Sequence, residues 1–532
     1  MFLKVKHGGN EKNPHDYLQI VESYRPEGAE HPRQRVLANL GRLDYLIESG
    51  QIDRLIEGLA RFSEELQVRK AAETLPVEAC ASRAWGPALV FRRLWKQQRL
   101  PEVLGKLAAG RKFGFDVERA AFAMALQRLC APGSDLFGAT WLPTVEAPGL
   151  DGIQLQHLYR TARLLGERRE DLERELFLRD RDLFGQDLDL LFVDTTSVYV
   201  YRDTETAFRR RGYSRDRRPD LPQFVLCVAV DQHGWPVAWE AFPGNTADKP
   251  ALLSVIEVFR KRFGIRRAIV VADRGMISQK AIDLLADDAE APFGYILGCR
   301  MRGSREVHEE VLGRAGRYQV VADNLQVKEV RVGTRRYIVC RNPEEAAHDA
   351  AQREAILADI RDKTKREQKA LLKSQGYKRF VTIEKGALQI DPQTVADEAR
   401  LDGKWVLRTN TDLPADQVAE SYKSLWRVER TFRECKSTLQ MRPIYHQLDE
   451  TSIGHLVACF LALRLEVHLQ RKLSEKGVKA PWPQLMQDLS GVQAVRLRLD
   501  GKDWLLRTGF PGQAHAAFMA AGVQPPPAVT TL

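Results

Sequence analysis

Residues 187–202, DLDLLFVDTTSVYVYR, become continuously apolar and β-branched from Leu190 onward, except for one carboxylate, Asp194. In a strand, side chains alternate with period two, so Asp194 shares a face with Leu190, Phe192, Thr196, Val198 and Val200, the face expected to point inward. A carboxylate there is costly: unpaired burial raises its pKa, so a bound cation, a charged partner or backbone amides must meet it. Two more strand-like runs follow, PQFVLCVAVD (222–231) and WPVAWEAF (235–242), joined by the tight-turn sequence DQHG. Three neighbouring antiparallel strands are expected. After them come a helix over DKPALLSVIEVFRKRFG (248–264), a short buried strand IRRAIVVAD (265–273), a helix over ISQKAIDLLADD (277–288) and a second buried strand FGYILGCR (293–300). Asp273 ends the first of these buried strands, ahead of Arg274 and Gly275. That is a frequent site position in α/β sheets and equally a common helix-capping position.

On either side of this core the texture changes. Residues 1–75 read as a β-hairpin followed by a helix, and 76–185 as a helical, Arg-rich region suited to holding DNA or to packing with a charged outer face. The core occupies 186–300. Residues 301–414 read as a β-rich insertion with a long charged helix around 344–375, and 415–475 as the return of the core through a polar helix and the apolar helix IGHLVACFLALRLEVHLQRKL (453–473). A tail, 476–532, ends in QPPPAVTTL, which is expected to be unstructured.

The chain has 532 residues, enough for two to four domains. Its 81 Lys and Arg against 71 Asp and Glu leave a net charge of +10, which suits a polyanionic partner, nucleic acid before membrane. No apolar run is expected to cross a bilayer and the start carries no secretory leader pattern, so the expected location is the cytoplasm. Seven dispersed cysteines without a C-x-x-C pair point to reduced thiols, and the scattered histidines have no metal-ligand spacing.

The polar helix carries SYKSLWRVERTFRECK (421–436). At about 100° per residue, Tyr422, Glu429, Lys436 and Gln440 fall within about 40° of one another, with Trp426 and Arg433 at the edge of that sector. Leu425, Val428, Phe432, Cys435 and Leu439 form a separate packing stripe. Taken alone, Glu429 could simply pair with Arg433 one turn on. Taken with Asp194 and Asp273 it completes the layout of an RNase H-like fold: a mixed α/β sheet flanked by helices, interrupted by the insertion, with the first and fourth strands adjacent. Such acids can hold two Mg²⁺ or Mn²⁺ ions for phosphodiester displacement.

The motifs FVDTT, VADRGM and YKSLWRVERTFRECK closely resemble those of bacterial insertion-sequence transposases of the DDE class, in the branch with a β-rich insertion before the glutamate. That branch carries Y-x2-R-x3-E-x6-K, which falls here on Tyr422, Leu425, Glu429 and Lys436; the arginine is replaced, and Arg433 is the favoured substitute. The resemblance spans roughly 186–475. It implies Asp194, Asp273 and Glu429 as catalytic metal ligands, Tyr422 and Lys436 on DNA phosphates, and Trp426 as a base-stacking group. It also implies end cleavage and strand transfer on double-stranded DNA, at transposon inverted repeats and target, by a homodimer holding two ends. The loop FRRRGYSRDRR (208–218), with Arg209, Arg210, Arg211 and Arg215, is expected to grip the DNA backbone. The competing readings are a catalytically silent DNA-binding descendant, a two-carboxylate carbohydrate hydrolase and an RNase H-like nuclease.

Overall fold

The computed structural model describes residues 1–10, 13–26, 31–60, 78–184, 190–263, 265, 268–276, 278–286, 293–362, 375–384, 387–499 and 502–532. The chain divides into two compact units: Met1–Gly86 with Gln487–Ala514 and Gln524–Leu532, and Pro87–Met486 with His515–Val523. In the first unit β1 (Phe2–Asn10), β2 (Asn13–Tyr24) and β3 (Arg33–Arg42) make an antiparallel sheet, one strand more than the expected hairpin. Helices Leu43–Glu48 and Gln51–Ala60 follow; the expected continuation of the second to Lys70 lies outside the described residues. β4 (Glu78–Ala84) opens the segment read as helical. From Gly86 to Phe184 the described residues do run through helices, with one short 3₁₀ turn at Leu142–Thr144.

The second unit is built on one sheet. β5 (Leu190–Tyr199), β6 (Gln223–Asp231) and β7 (Pro236–Pro243) are antiparallel neighbours, as expected from their alternation and the DQHG turn. β8 (Ile269–Ala272) joins the other side of β5 in parallel, and β9 (Gly294–Gly298) joins β8 in parallel, so the first and fourth strands are adjacent. The sheet continues. β10 (Gln319–Ala322), β11 (Leu325–Val332) and β12 (Arg335–Arg341) reach it through β15 (Lys404–Thr409), which pairs with β9, while β13 (Val381–Glu384) and β14 (Ala387–Ile390) form a separate hairpin. The order is β10-β11-β12-β15-β9-β8-β5-β6-β7, so most strands between 301 and 414 extend the core sheet. The charged helix of that region is described over Pro343–Asp362.

Both faces of the central strands are covered, which accounts for their near-continuous apolar sequences. Leu191, Val193, Cys227 and Ala229 pack against Leu252, Val255, Ile256 and Phe259 of the helix Asp248–Lys261. Leu226, Val228 and Trp239, on the opposite face, meet Thr431, Cys435, Leu456 and Phe460.

The helix Asp449–Glu475 is long and apolar enough to cross a membrane, contrary to expectation; 89% of its most apolar window is buried within the protein, the place of a core helix. It crosses the helix Leu155–Glu167 closely because Gly166 and Gly454 lack side chains: a Cβ on Gly454 would overlap the Ala162 carbonyl, and one on Gly166 the Glu450 carbonyl. Deep in the same unit Arg464, 1% exposed, makes a two-pronged pair with Asp180 at 2.8 Å on each oxygen and stacks on Trp235.

The C-terminal segment corrects the expectation that QPPPAVTTL is unstructured, since Val529–Thr531 is a strand. β16 (Gln493–Leu499), β17 (Lys502–Arg507) and β18 (Val529–Thr531) form a sheet in the order β18-β17-β16-β4. The alternating VRLRL and WLLR lie either side of Asp500–Gly501, a two-residue hairpin signal, and Leu499 pairs with Lys502.

Candidate active site

The parallel register of β5 and β8 pairs Val193 with Ala272, so the next residue on each chain segment is an aspartate: Asp194, midway along β5, stands beside Asp273, which directly follows the carboxyl end of β8. Open α/β sheets commonly bind ligands at the carboxyl ends of their strands, the position Asp273 occupies. Asp194 shares its face with Val228 and Trp239, its cross-strand neighbours, the side covered by Thr431 and Cys435. Burial pushes its carboxyl up to about 6; the Thr195 amide and the Arg215 charge oppose that shift, while the charges of Asp273 and Asp248 add to it. The Thr195 amide donates to its Oδ1 at 2.7 Å.

Asp248 is a third acid that sequence reasoning placed only as a helix start. Its Oδ1 accepts from Thr195 Oγ1 at 2.6 Å and from Arg215 Nη2 at 2.8 Å. The Arg215 guanidinium also donates to the Thr195 carbonyl. Asp248 closes the segment FPGNTAD (242–248), which links β7 to the helix Asp248–Lys261. Arg215, expected on DNA, therefore braces the rim of the acid pair.

The hydroxyl of Tyr422 donates to Asp273 Oδ1 at 2.9 Å, and burial together with the Asp273 charge raises the phenol pKa. Gly298 on β9 leaves room for that ring, since a Cβ there would overlap the Tyr422 hydroxyl. Tyr422 is thus engaged with a catalytic candidate; the expected phosphate contact is not the bond it makes here.

The signature segment is not one straight helix. Ala415–Lys423 is α-helical, Ser424 and Leu425 turn, Trp426–Arg433 resumes, and Glu434–Thr438 is π-helical. A face computed at constant rotation therefore does not run unbroken from Tyr422 to Gln440. Val428 and Thr431 anchor the middle piece over β5 and β6, and Leu425, Cys435 and Leu439 are buried as the packing stripe required; Phe432 is half-buried. Glu429 follows Val428 on the exposed side, and no ion pair joins it to Arg433. The structure brings Asp194 and Asp273 together and leaves Glu429 exposed on an element docked against Asp194's strand. Trp426 is 48% exposed with Arg427 stacked on it, and Arg433 is exposed. Lys436 is largely buried and pairs with Asp216 of the basic loop at 2.8 Å, where Arg442 also pairs at 2.9 Å.

The basic loop divides. Arg209 is 4% exposed and held by Asp449 at 2.8 Å, so it pins the loop to the core helix and has no free surface to offer DNA. Arg210 and Arg211 remain exposed beside Glu205, and Tyr213 between them and Arg215 is 87% exposed.

Among the described residues no group of three or more His, Cys, Asp or Glu side chains is arranged to hold a metal ion. The donor chemistry still suits a hard cation in part. Asp194 and Asp273 offer oxygen ligands side by side, and the Asp273 charge that helps to raise the Asp194 carboxyl is what a divalent ion would offset. A sheet-borne acid pair beneath a helix carrying a third acid is an arrangement for phosphodiester chemistry. Known families agree: the Transposase DDE domain matches residues 185–465, and the N-terminal domain of IS1634 family transposases matches residues 3–73. No curated protein matches the chain. Acid pair, signature helix and N-terminal sheet thus lie within two matched domains that together run through most of the sequence, and the chain belongs to the IS1634 family of transposases, with a DDE domain that makes it a phosphoryl-transfer enzyme of insertion-sequence DNA.

Proposed function

We propose that the transposase cuts at the inverted repeats of its insertion sequence and joins the freed 3′-hydroxyl to target DNA, using Asp194, Asp273 and Glu429 on an RNase H-like core. The observation that supports this most is the β5–β8 register, which sets two aspartates abreast. The DDE family is typically dependent on divalent metal. Two Mg²⁺ or Mn²⁺ ions, when bound, would supply activation of the attacking oxygen and stabilisation of the leaving one.

The protein's own contribution is placement. Asp194 and Asp273 offer ligand oxygens from rigid strands, and Tyr422 fixes the rotamer of Asp273. Glu429 turns in from the docked helix to complete the set. Trp426, Arg433, Arg210 and Arg211 meet DNA from their exposed positions, and Lys436 does so by giving up Asp216. A homodimer in the cytoplasm, at the nucleoid, would hold the two ends.

The exposure of Glu429 favours a second reading, a silent DNA-binding descendant. Cleavage of DNA flanking the coding sequence decides between them. Mg²⁺-dependent nicking abolished by Asp194→Asn, Asp273→Asn and Glu429→Gln supports the proposal; no cleavage by the wild type with Mg²⁺ or Mn²⁺, despite binding, sinks it.

A further inference from the structure

On the sheet face opposite Tyr422, a cleft of about 390 Å³ opens just past the carboxyl ends of β8 and β9. Register builds its floor. Leu297 on β9 pairs with Arg408 on β15, and Arg408 with Tyr337 on β12, so these three side chains stand in one row on one face. Gly298, the next residue of β9, faces the other way, toward Tyr422. Arg274, directly after Asp273, Arg300 beyond β9 and Lys249 at the start of the helix Asp248–Lys261 form the rim.

The charge of this cleft is unbalanced. Among the described residues its one carboxylate, Glu306, already accepts from the Tyr337 hydroxyl at 2.9 Å and pairs with Arg335 at 2.5 Å. Lys249, Arg274, Arg300 and Arg408 have no carboxylate partner among the described residues. The Nε of Arg408 is buried with no hydrogen-bond acceptor. Withholding a buried guanidinium nitrogen from both water and an acceptor is costly, and four unpaired cations in one concave site repel one another. An anion with several oxygens would answer both deficits.

We infer that this cleft binds the phosphodiester backbone of a DNA strand running past Asp273, on the side of the sheet away from the signature helix. The inference rests on the transposase reading for its ligand, since a strand at the acid pair must continue beyond it. The phosphates could belong to the transposon end or to the target; the chemistry of recognition is the same.

The test uses the full chain and two duplexes, one from DNA flanking its coding sequence and one of unrelated sequence standing for target. Lys249→Gln combined with Arg300→Gln removes two exposed cations. If both contact phosphates, the slope of log affinity against log salt becomes shallower by roughly 1.8, about 0.9 per contact. A change with the flanking duplex assigns the cleft to the end, a change with the unrelated duplex assigns it to target, and a change with both assigns it to both. Unchanged slopes on both duplexes in a folded variant overturn the inference. Should that variant not fold, acetylation of Lys249 in the wild type decides: protection by either duplex supports the site, and equal labelling with and without DNA overturns it. Asp194→Asn separates this from the catalytic proposal, because it should abolish cleavage while leaving both salt slopes intact; a wild type that binds with the expected slopes yet never cuts would remove the catalytic proposal alone.

Discussion

The Tyr422 hydroxyl and Asp273 Oδ1 are 2.9 Å apart in space and 149 residues apart in sequence. A phenol that orients a carboxylate and a phenol that holds a phosphate make different demands on a variant. Tyr422→Phe should lower the cleavage rate about tenfold, the equivalent of about 1.4 kcal/mol, while DNA affinity and its salt dependence stay close to wild type. Single-turnover cleavage beside a binding titration checks it. A loss confined to affinity would instead favour the phosphate contact.

Gly298 should behave as part of the same unit. An alanine there displaces the Tyr422 ring, so Gly298→Ala should cost about 1–3 kcal/mol of stability and reduce cleavage to a similar degree as Tyr422→Phe. In the double variant the catalytic losses should not add, since the hydrogen bond can be lost only once. Additive losses in a double-mutant cycle would disconnect the two residues.

The raised carboxyl of Asp194 predicts a pH window. Its pKa of about 6 means that below pH 6 the group is increasingly protonated, and a cation must then displace a proton to bind. The Mg²⁺ concentration giving half-maximal cleavage should therefore rise as pH falls through about 6 and level off above about 7. Metal titrations at several pH values provide the check, and a flat dependence from pH 5 to 8 would contradict it.

Arg464 and Asp180 make a purely structural prediction. Their pair is buried, two-pronged and extended by Trp235 Nε1, which donates to Asp180 Oδ2 at 3.0 Å. Asp180→Ala strands the guanidinium and should cost about 3–5 kcal/mol of stability. Chemical denaturation measures it; a change below about 1 kcal/mol would mean that the arginine finds another partner.

Much of this was readable because local pattern and long-range structure agreed. Leu190–Tyr199 is apolar enough that Asp194 stood out, and AIVVAD ends in Asp273 where a buried strand must end. Other features depended on contacts that periodicity cannot encode. The signature segment breaks at Ser424, whose amide turns back to both Glu420 and Ser421, and then widens into a π-helix, so constant rotation misplaced its ends. Arg209 looked like its neighbours, but its partner Asp449 lies 240 residues away. Asp248 read as a helix start because Thr195 and Arg215 reach it only in the folded sheet. The hairpin Gln493–Arg507 is the exception: alternation around Asp500–Gly501 carries its signal in the sequence, and the reading of this segment as a plain tail passed over it.

The sheet that joins β4 to β16 also imposes a schedule on synthesis. Ser82 hydrogen-bonds to Gln493, 411 residues downstream, so the early strand must wait for nearly the whole polypeptide to be made. At ribosomal speeds of about 5–20 residues per second the delay is on the order of 20 to 80 s. Throughout that interval β4 leaves the ribosome as an unpaired edge, open to chaperones or to a neighbouring nascent copy.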